Sequence, residues 1–331
     1  MLKFLIVQTA FIGDVVLATS LLEKLQIFYP TAQIDFMLRK GNETLFLDHP
    51  YLHKIWIWDK KKEKTKNLFR LISEIRKQKY DHVINLQRFF SSGLLTVLSG
   101  AKQKRGFKKN PFSSFFDLAI PHEISKNGDL HETERNQNLI ADLTDSKAAI
   151  PKLYPSENDF AHIKTYQENK YICLAPSSVW FTKQYPEEYW ILFLNQVPSD
   201  FTIYLLGAKS DFDKCEHILN STNHSKCYNL SGKLSFLQSA ALMKNAEMNF
   251  VNDSAPLHFA SAMNANVTAI FCSTVPEFGF GPLSKNKNII QTYVPLSCRP
   301  CGLHGYNSCP EKHFKCALTI LPENLIAVLH D

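Results

Sequence analysis

The sequence has no apolar run that approaches the roughly 20 residues needed to cross a lipid bilayer. It also lacks the pattern of a secretory signal, because no small-residue cleavage site follows its first apolar stretch. The absence of a short-period repeat argues against a solenoid, and no segment resembles a nucleic-acid-binding module. We therefore expect a cytoplasmic protein that has no nucleic-acid partner.

The composition is that of a soluble globular protein rather than a disordered or fibrous one. Hydrophobic residues make up 45% of the chain and charged residues 21%. With 331 residues, the chain is long enough for two domains that each bury a core of their own.

Basic residues exceed acidic ones, giving a formal net charge of +6, and the excess is concentrated in the first half of the chain. Runs of this kind usually form solvated loops or faces. The alternative is a surface for an anionic partner, for which we favour a phosphorylated glycolipid at a membrane over nucleic acid. The two runs comprise Lys60, Lys61, Lys62, Lys64 and Lys66, and Lys102, Lys104, Arg105, Lys108 and Lys109.

Short apolar strands alternate with helical patterns along the chain, which is typical of βαβ units and a parallel sheet. The alternation breaks at Pro151–Ser156, where two prolines indicate a linker. We therefore predict two doubly wound α/β domains, residues 1–155 and 156–331, facing a central cleft that binds a small molecule. Besides the opening strand, the predicted strands are Ile34–Met37, Ile55–Trp58, Val83–Leu86, Tyr171–Ala175, Thr202–Gly207, Met248–Val251 and Val267–Phe271.

The first stretch of the chain places an acidic residue where a strand meets a helix. Leu2–Val7 is apolar except for Lys3, as in a strand buried on both faces, and a helical pattern follows Gly13. Asp14 therefore lies at the carboxyl edge of the sheet, where open α/β sheets bind ligands. Asp14 is either a helix cap, worth about 1 kcal/mol, or a carboxylate that faces the cleft.

The loop after the strand at Tyr171–Ala175 contains Ser177, Ser178 and Lys183. Two hydroxyls and an ammonium group at the carboxyl end of a strand suit a phosphate group. A polar surface loop with a solvated lysine is an equally good interpretation.

A third strand-to-helix junction contains Asp253, Ser254, Ala255 and His258. The amino end of its helix offers backbone N–H groups and a positive dipole end to an anion. Asp253 and Ser254 are alternatively ordinary helix caps. His258 either faces the cleft or fills the core, and periodicity does not choose between these positions.

These blocks resemble glycosyltransferase family 9, the ADP-heptose:lipopolysaccharide heptosyltransferases and their relatives. The blocks follow the family's order over nearly the whole chain, and the first and third are the most specific. The resemblance implies a GT-B architecture with an N-terminal acceptor-binding domain and a C-terminal domain that binds a nucleotide-sugar donor. The matching blocks are Gly13–Val16, Lys183–Trp190, Asn252–Ala260, and Thr274–Glu277 with Gly281–Pro282.

The resemblance also implies an inverting transfer that requires no cofactor, with ADP-heptose as the default donor and a lipopolysaccharide core or other glycan as acceptor. Asp14 matches the general base of the family. The donor would contact Ser177, Ser178, Lys183, Asp253, Ser254, Ala255 and His258. We expect an acceptor on a glycolipid to bring the protein to the inner face of the cytoplasmic membrane.

Three segments of the first half are candidates for the acceptor side. Gly13 adjoins the proposed base, and Arg88 and Ser92 follow the strand at Val83–Leu86. Both of the latter are alternatively ordinary surface-loop residues. Arg135 is either a contact to an acceptor phosphate or an exposed partner of a neighbouring helical residue, and we favour the second.

The chain departs from the family's pattern at three positions. Gln8 stands where relatives often have a basic residue, Ala255 replaces a glycine, and Leu237 lies where some heptosyltransferases have an acid for the ribose. The donor is therefore open at this stage: the alternatives are the same reaction with another nucleotide sugar, a related epimerase, or a non-catalytic nucleotide-sugar binder.

The segment 298–316 holds four of the eight cysteines of the chain. In a cytoplasmic protein, closely spaced cysteines favour a metal site over disulfides. A structural zinc ion is therefore one expectation, and free thiols or a redox-dependent disulfide are the alternatives, because the later spacings match no standard zinc finger. The ligand candidates are Cys298, Cys301, Cys309 and Cys316.

Overall fold

The computed structural model describes residues 1–128 and 130–329. The chain divides into two compact units, one formed by Met1–Glu123 and Glu132–Tyr154 and the other by Ile124–His131 and Pro155–Asp331. The change of unit after Tyr154 falls within the stretch expected to be a linker. No helix in the described ranges is both long and apolar enough to traverse a membrane.

The first unit contains a six-stranded parallel sheet with the order β3-β2-β1-β4-β5-β6. This is the strand order of dinucleotide-binding Rossmann folds, in which the chain reverses direction across the sheet between β1 and β4. The strands are β1 (Lys3–Val7), β2 (Gln33–Arg39), β3 (Leu52–Trp58), β4 (His82–Asn85), β5 (Gln103–Phe107) and β6 (Leu118–Ile120). The helices are α1 (Ile12–Phe28), α2 (Lys64–Gln78), α3 (Phe90–Leu98) and α4 (Glu132–Gln137).

The second unit repeats this topology, with the order β9-β8-β7-β10-β11-β12 and parallel pairing throughout. The direction therefore reverses between β7 and β10. The strands are β7 (Tyr171–Ala175), β8 (Thr202–Leu205), β9 (Cys227–Asn229), β10 (Met248–Asn252), β11 (Val267–Phe271) and β12 (Lys287–Gln291). The helices are α5 (Glu157–Ile163), α6 (Glu187–Leu194), α7 (Phe212–Ser221), α8 (Phe236–Lys244), α9 (Ala255–Met263), α10 (Lys315–Leu318) and α11 (Pro322–Ala327).

Each unit has its own apolar core beneath its helices. In the first unit Leu5 and Val7 of β1 pack with Ile75 of α2. In the second, Trp190 and Phe250 are fully buried among the residues that pack α6 against the sheet. Burial of a large apolar side chain stabilises the folded state by about 1.5–3 kcal/mol. The apolar runs of the central strands thus produce the sheets predicted from the sequence.

Strands β5, β6, β9 and β12 were not predicted from the sequence, and the prediction of a solvated loop or face is wrong for part of the second basic run. Lys104 and Arg105 lie on β5 rather than in a solvated loop. Arg105 is buried and donates two hydrogen bonds to the Asp142 carboxylate, at 2.5 and 2.9 Å. This arginine therefore anchors the strand instead of forming part of a surface for an anionic partner.

Candidate functional site

Asp14 lies in the first turn of α1, directly after Gly13, and both residues are partly exposed. The N-cap position belongs to Phe11, whose side chain has no hydrogen-bond acceptor. Asp14 is therefore not the cap that one interpretation expected. A carboxylate in this turn is nevertheless stabilised by the helix dipole, by about 0.3–1 kcal/mol.

The loop between β1 and α1 is tied to the loop that follows β4. The side-chain amide of Gln87 donates a hydrogen bond to Gln8 Oε1, which also accepts one from the Ala10 amide at 3.3 Å. Since β1 and β4 flank the reversal of strand order, this pair spans the position where open α/β sheets bind ligands. Gln8 thus has a structural role at the position where relatives often carry a basic residue.

Positive charge surrounds this loop. Lys60 Nζ donates a hydrogen bond to Thr9 O at 2.8 Å, although the sequence places Lys60 in an apparently solvated run. Burial, followed by the charges of Arg39 and Lys64, lowers the pKa of Lys60 to about 8. Lys60 is mostly protonated at neutral pH, and its like-charged neighbours favour an anion beside them.

Arg88 is exposed in the loop after β4, and Ser92 is buried in the first turn of α3. Arg88 lies over the Phe89 ring, 5.5 Å from its centroid. Ser92 Oγ donates to Phe89 O at 2.8 Å, so its hydroxyl holds the first turn of α3 together and is not displayed to a ligand. Asn110 Nδ2 fixes the same loop by donating to Gln87 O at 2.8 Å.

Arg135 was expected to be an exposed helical partner, and the expectation of exposure is wrong. Its side chain is buried, and Arg135 Nε donates to Glu132 Oε2 at 2.9 Å. His122 Nε2 lies 3.1 Å from the same carboxylate oxygen. Burial by itself would raise the pKa of Glu132, but the hydrogen bonds and charges of His122 and Arg135 outweigh it, so the pKa is lower than usual. The group supports α4, which packs on α1.

In the second unit, Lys183 and Asp253 form a closely held ion pair. Lys183 Nζ lies 2.6 Å from Asp253 Oδ2, and the two side chains are 15% and 9% exposed. Thr274 Oγ1 donates to the same carboxylate oxygen at 2.6 Å. Lys183 comes from the loop after β7 and Asp253 from the loop after β10. The pair thus joins the loops on either side of the second reversal point.

Asn252, the last residue of β10, also connects these loops. No role was predicted for it from the sequence. It is fully buried; its Nδ2 donates to Pro176 O at 2.9 Å, and its Oδ1 accepts from the Tyr185 amide at 3.0 Å. Within the described part of the chain, the buried Ser177 Oγ has no hydrogen-bond partner. A buried hydroxyl of this kind is costly unless a ligand or water bonds to it.

The neighbouring Ser178 contributes its backbone to the loop. Its carbonyl accepts a hydrogen bond from Gln184 Nε2 at 2.7 Å, on the other side of the turn that carries Lys183. The loop after β7 is therefore held to itself as well as to β10.

The amino end of α9 follows directly after Asp253 in the sequence. Ser254 occupies the N-cap position of this helix. Ser254 Oγ donates to Asn252 O at 3.4 Å and does not cap the helix, so the capping interpretation is wrong for this residue. Ala255 opens the first turn of this nine-residue helix, and His258 is buried one turn later, at 6% exposure. The positive end of a helix dipole thus follows directly after Asp253, in the loop after β10.

The predicted zinc site is not assembled. Among residues 1–128 and 130–329, no group of three or more His, Cys, Asp or Glu side chains has an arrangement that could hold a metal ion. The thiols contact other groups instead: Cys301 Sγ donates to Cys298 O at 3.2 Å, and Cys309 Sγ accepts from the Phe314 amide at 3.4 Å. All four cysteines are free thiols, and burial raises the pKa of Cys316 to about 12.

The chain is similar in sequence and in structure to known proteins. The lipooligosaccharide heptosyltransferase 2 of Haemophilus ducreyi is 27% identical over 320 residues, which cover 88% of each chain. The solved structure of E. coli ADP-heptose LPS heptosyltransferase II has a TM-score of 0.82 and 21% identity, covering 99% of this chain and 98% of that one. A family 9 glycosyltransferase from Veillonella parvula has a TM-score of 0.84 and 18% identity, covering 99% and 96%.

The two solved structures establish the GT-B fold, as the sequence predicted. The family model for glycosyltransferase family 9 (heptosyltransferase) matches residues 68–306, which is most of the chain and includes Lys183, Asp253 and Thr274. The matched range begins after Asp14. On the extent of this match, the chain belongs to glycosyltransferase family 9.

Proposed function

We propose that this protein transfers a heptosyl group from ADP-heptose to a lipopolysaccharide-core acceptor, with inversion at the anomeric carbon and Asp14 as the general base. Proteins similar to it carry the names lipooligosaccharide heptosyltransferase 2 and ADP-heptose LPS heptosyltransferase II. The observation that carries the proposal is the placement of reactive groups after the strands that flank each reversal point: Asp14 in the first unit, and Lys183 with Asp253 in the second.

Residues 156–331, which lie within the second unit, are the proposed donor domain. Lys183, the Ser177 hydroxyl, and Ser254 and Ala255 at the amino end of α9 would surround the diphosphate. Asp253 fixes the direction of the ammonium group, and a diphosphate would share that group with it. Such preorganised groups stabilise the negative charge that develops on the leaving phosphate. We propose that they do so without a metal ion, with Ser178 and His258 completing the contacts.

Residues 1–155, which include the whole first unit, are the proposed acceptor domain. The Asp14 carboxylate would take the proton of the acceptor hydroxyl as its oxygen bonds to the anomeric carbon. The bond from that carbon to the diphosphate breaks on the opposite face, and ADP leaves with the electron pair. Aspartates are ionised at neutral pH but are weak bases, so positioning must supply much of the rate enhancement.

An anionic acceptor fits the charge of the first unit. Lys60 and Arg39 surround the loop that precedes Asp14, and Arg88 is exposed after β4. A phosphorylated glycolipid would satisfy these cations, and its lipid would bring the protein to the inner face of the cytoplasmic membrane. We leave Ser92 out of the acceptor contacts, because its hydroxyl is buried and bonded to the backbone.

Mass analysis of reaction products tests the proposal. Purified protein is mixed with ADP-heptose, or with other ADP- and UDP-sugars, and with truncated lipopolysaccharide acceptors. We expect the acceptor to gain a heptose when ADP-heptose is the donor, and to gain no sugar from the other donors. Transfer of a different sugar would keep the reaction and change the donor. If no donor supports transfer, the alternative of a non-catalytic nucleotide-sugar binder would hold instead.

A further inference from the structure

The turn that carries Lys183 is bound by the cysteine-rich segment 298–316, here called the tail segment. Thr182 is the central residue of the turn Phe181–Lys183 and is 1% exposed. Its amide donates to Tyr306 O at 3.1 Å, and its Oγ1 accepts from the Tyr306 amide at 2.8 Å. One residue of the turn and one of the tail segment thus exchange two hydrogen bonds.

A third chain segment meets at the same hydroxyl. Ser273 Oγ, from the loop after β11, donates to Thr182 Oγ1 at 3.0 Å, and Ser273 O accepts from the Cys301 amide at 2.8 Å. Removal of the Thr182 hydroxyl would leave two donors without their acceptor. A buried donor that loses its partner costs about 1–3 kcal/mol.

Gly305 of the tail segment lies close to Lys183. Its φ is +78°, a left-handed conformation that other residues rarely adopt. A Cβ at this position would lie 2.8 Å from Thr182 Oγ1, 3.1 Å from Lys183 Cγ and 3.2 Å from Ser273 Oγ. The backbone of the tail segment therefore lies against the stem of the Lys183 side chain, with no space for even a methyl group.

The tail segment also holds the other side of the ion pair. Arg299 donates from Nε to Cys272 O at 2.8 Å and from Nη2 to Thr274 O at 2.7 Å. Thr274 is the residue whose hydroxyl binds Asp253. Phe314 stacks on Phe181, with 5.1 Å between ring centroids. Both partners of the Lys183–Asp253 pair are thus supported by the same stretch of chain.

We propose that the tail segment positions Lys183 for the donor, with Gly305, Tyr306 and Thr182 as positioning residues that act through the lysine and do not contact the substrate. This inference rests on the proposed function, in which Lys183 binds the donor diphosphate. A bound charge is useful only in the correct place, and displacement of about 1 Å can cost a large factor in rate. The tail segment, with its four free thiols, would then be part of the donor site.

The test measures binding of ADP and UDP to Gly305→Ala, Thr182→Val, Thr182→Ser and Lys183→Met by calorimetry. We expect Gly305→Ala and Thr182→Val to weaken binding of the preferred nucleotide about tenfold, and Thr182→Ser to stay near wild type because it keeps the hydroxyl. The matched control is Gly100→Ala in the first unit, where φ is +71° and a Cβ would meet only the flexible Arg76 side chain. We expect it to change thermal stability and not nucleotide binding.

A double-mutant cycle separates positioning from general damage. Since Gly305 acts through Lys183, adding Gly305→Ala to Lys183→Met should weaken binding no further. Additive losses would overturn the inference, and so would wild-type binding in Gly305→Ala and Thr182→Val while Lys183→Met binds weakly. If neither nucleotide binds the wild type, or Lys183→Met binds normally, the proposed donor role of Lys183 fails, and that outcome is distinct from failure of the positioning role.

Discussion

The ammonium group of Lys183 lies 2.6 Å from the carboxylate of Asp253, which joins a cation after β7 to an anion after β10. Both side chains are largely buried, and Thr274 bonds to the same carboxylate oxygen. A lysine held in this way cannot adopt the many rotamers of a solvated surface lysine. Lys183 is therefore a preorganised cation at the point where the strand order reverses, as the proposed diphosphate site requires.

Asp14→Asn should remove transfer and leave donor binding intact. The amide keeps the size of the carboxylate but cannot accept the proton of the acceptor hydroxyl. General-base catalysis contributes about 10²–10⁴-fold, so we expect a fall in kcat of at least a hundredfold. Product formation and nucleotide binding are measured on the same preparation. Transfer at the wild-type rate would exclude Asp14 as the base.

Lys183→Met should weaken donor binding by one to two orders of magnitude, because methionine fills the space of the lysine stem and supplies no charge. Asp253 would then face the diphosphate without its cation, which adds repulsion to the loss of attraction. The donor KM of the wild type should also rise with salt concentration more steeply than that of the variant. Equal salt dependence in the two proteins would contradict a direct role for the charge.

Acceptor binding should weaken as the pH rises above 8, because Lys60 loses its proton and its positive charge. Its pKa is lowered to about 8, so the charged form is present below this value and is lost as the pH rises through it. We expect the acceptor KM to increase between pH 7 and 9 in the wild type, and to be high and nearly constant in Lys60→Met. Lys62→Met, at an exposed position of the same run, is the control and should resemble the wild type.

The buried Glu132 carboxylate should make the first unit sensitive to acid. Because its pKa is lower in the folded protein than in the unfolded chain, its ionised form contributes stability above the ordinary glutamate pKa of about 4.3. That contribution is lost as the pH falls through the folded-state value. Urea unfolding between pH 6 and 3 should show a steeper loss for the wild type than for Glu132→Gln.

At pH 7 the same substitution should destabilise the protein by about 3–5 kcal/mol, since it breaks the buried ion pair of Glu132 with Arg135. Unfolding free energies of Glu132→Gln that match the wild type at pH 7 would show that the pair contributes little. The exposed Glu157→Gln on α5 provides the comparison, because it removes a carboxylate without breaking a buried pair.

The amino-acid sequence alone determined the alternation of strands and helices, the residues that end β1 and β7, and the end of β10 to within one residue. These features are encoded locally, in continuous apolar runs and in the spacing of apolar residues along a helix. Asp14, Lys183 and Asp253 could be selected because each follows such a run, and the family resemblance rests on the same blocks. The short outer strands carried a weaker signal, and β5 was hidden by its charged residues.

Only the tertiary structure decided which of these residues meet. The order of strands placed the loops after β7 and β10 side by side, and the pairing of Lys183 with Asp253 follows from that order. The burial of Arg135 and the contact of Gly305 with Thr182 were likewise invisible in the sequence. Each of these features depends on segments that are distant along the chain. A sequence pattern identifies each residue and its local structure, but it does not show which distant residues contact it after folding.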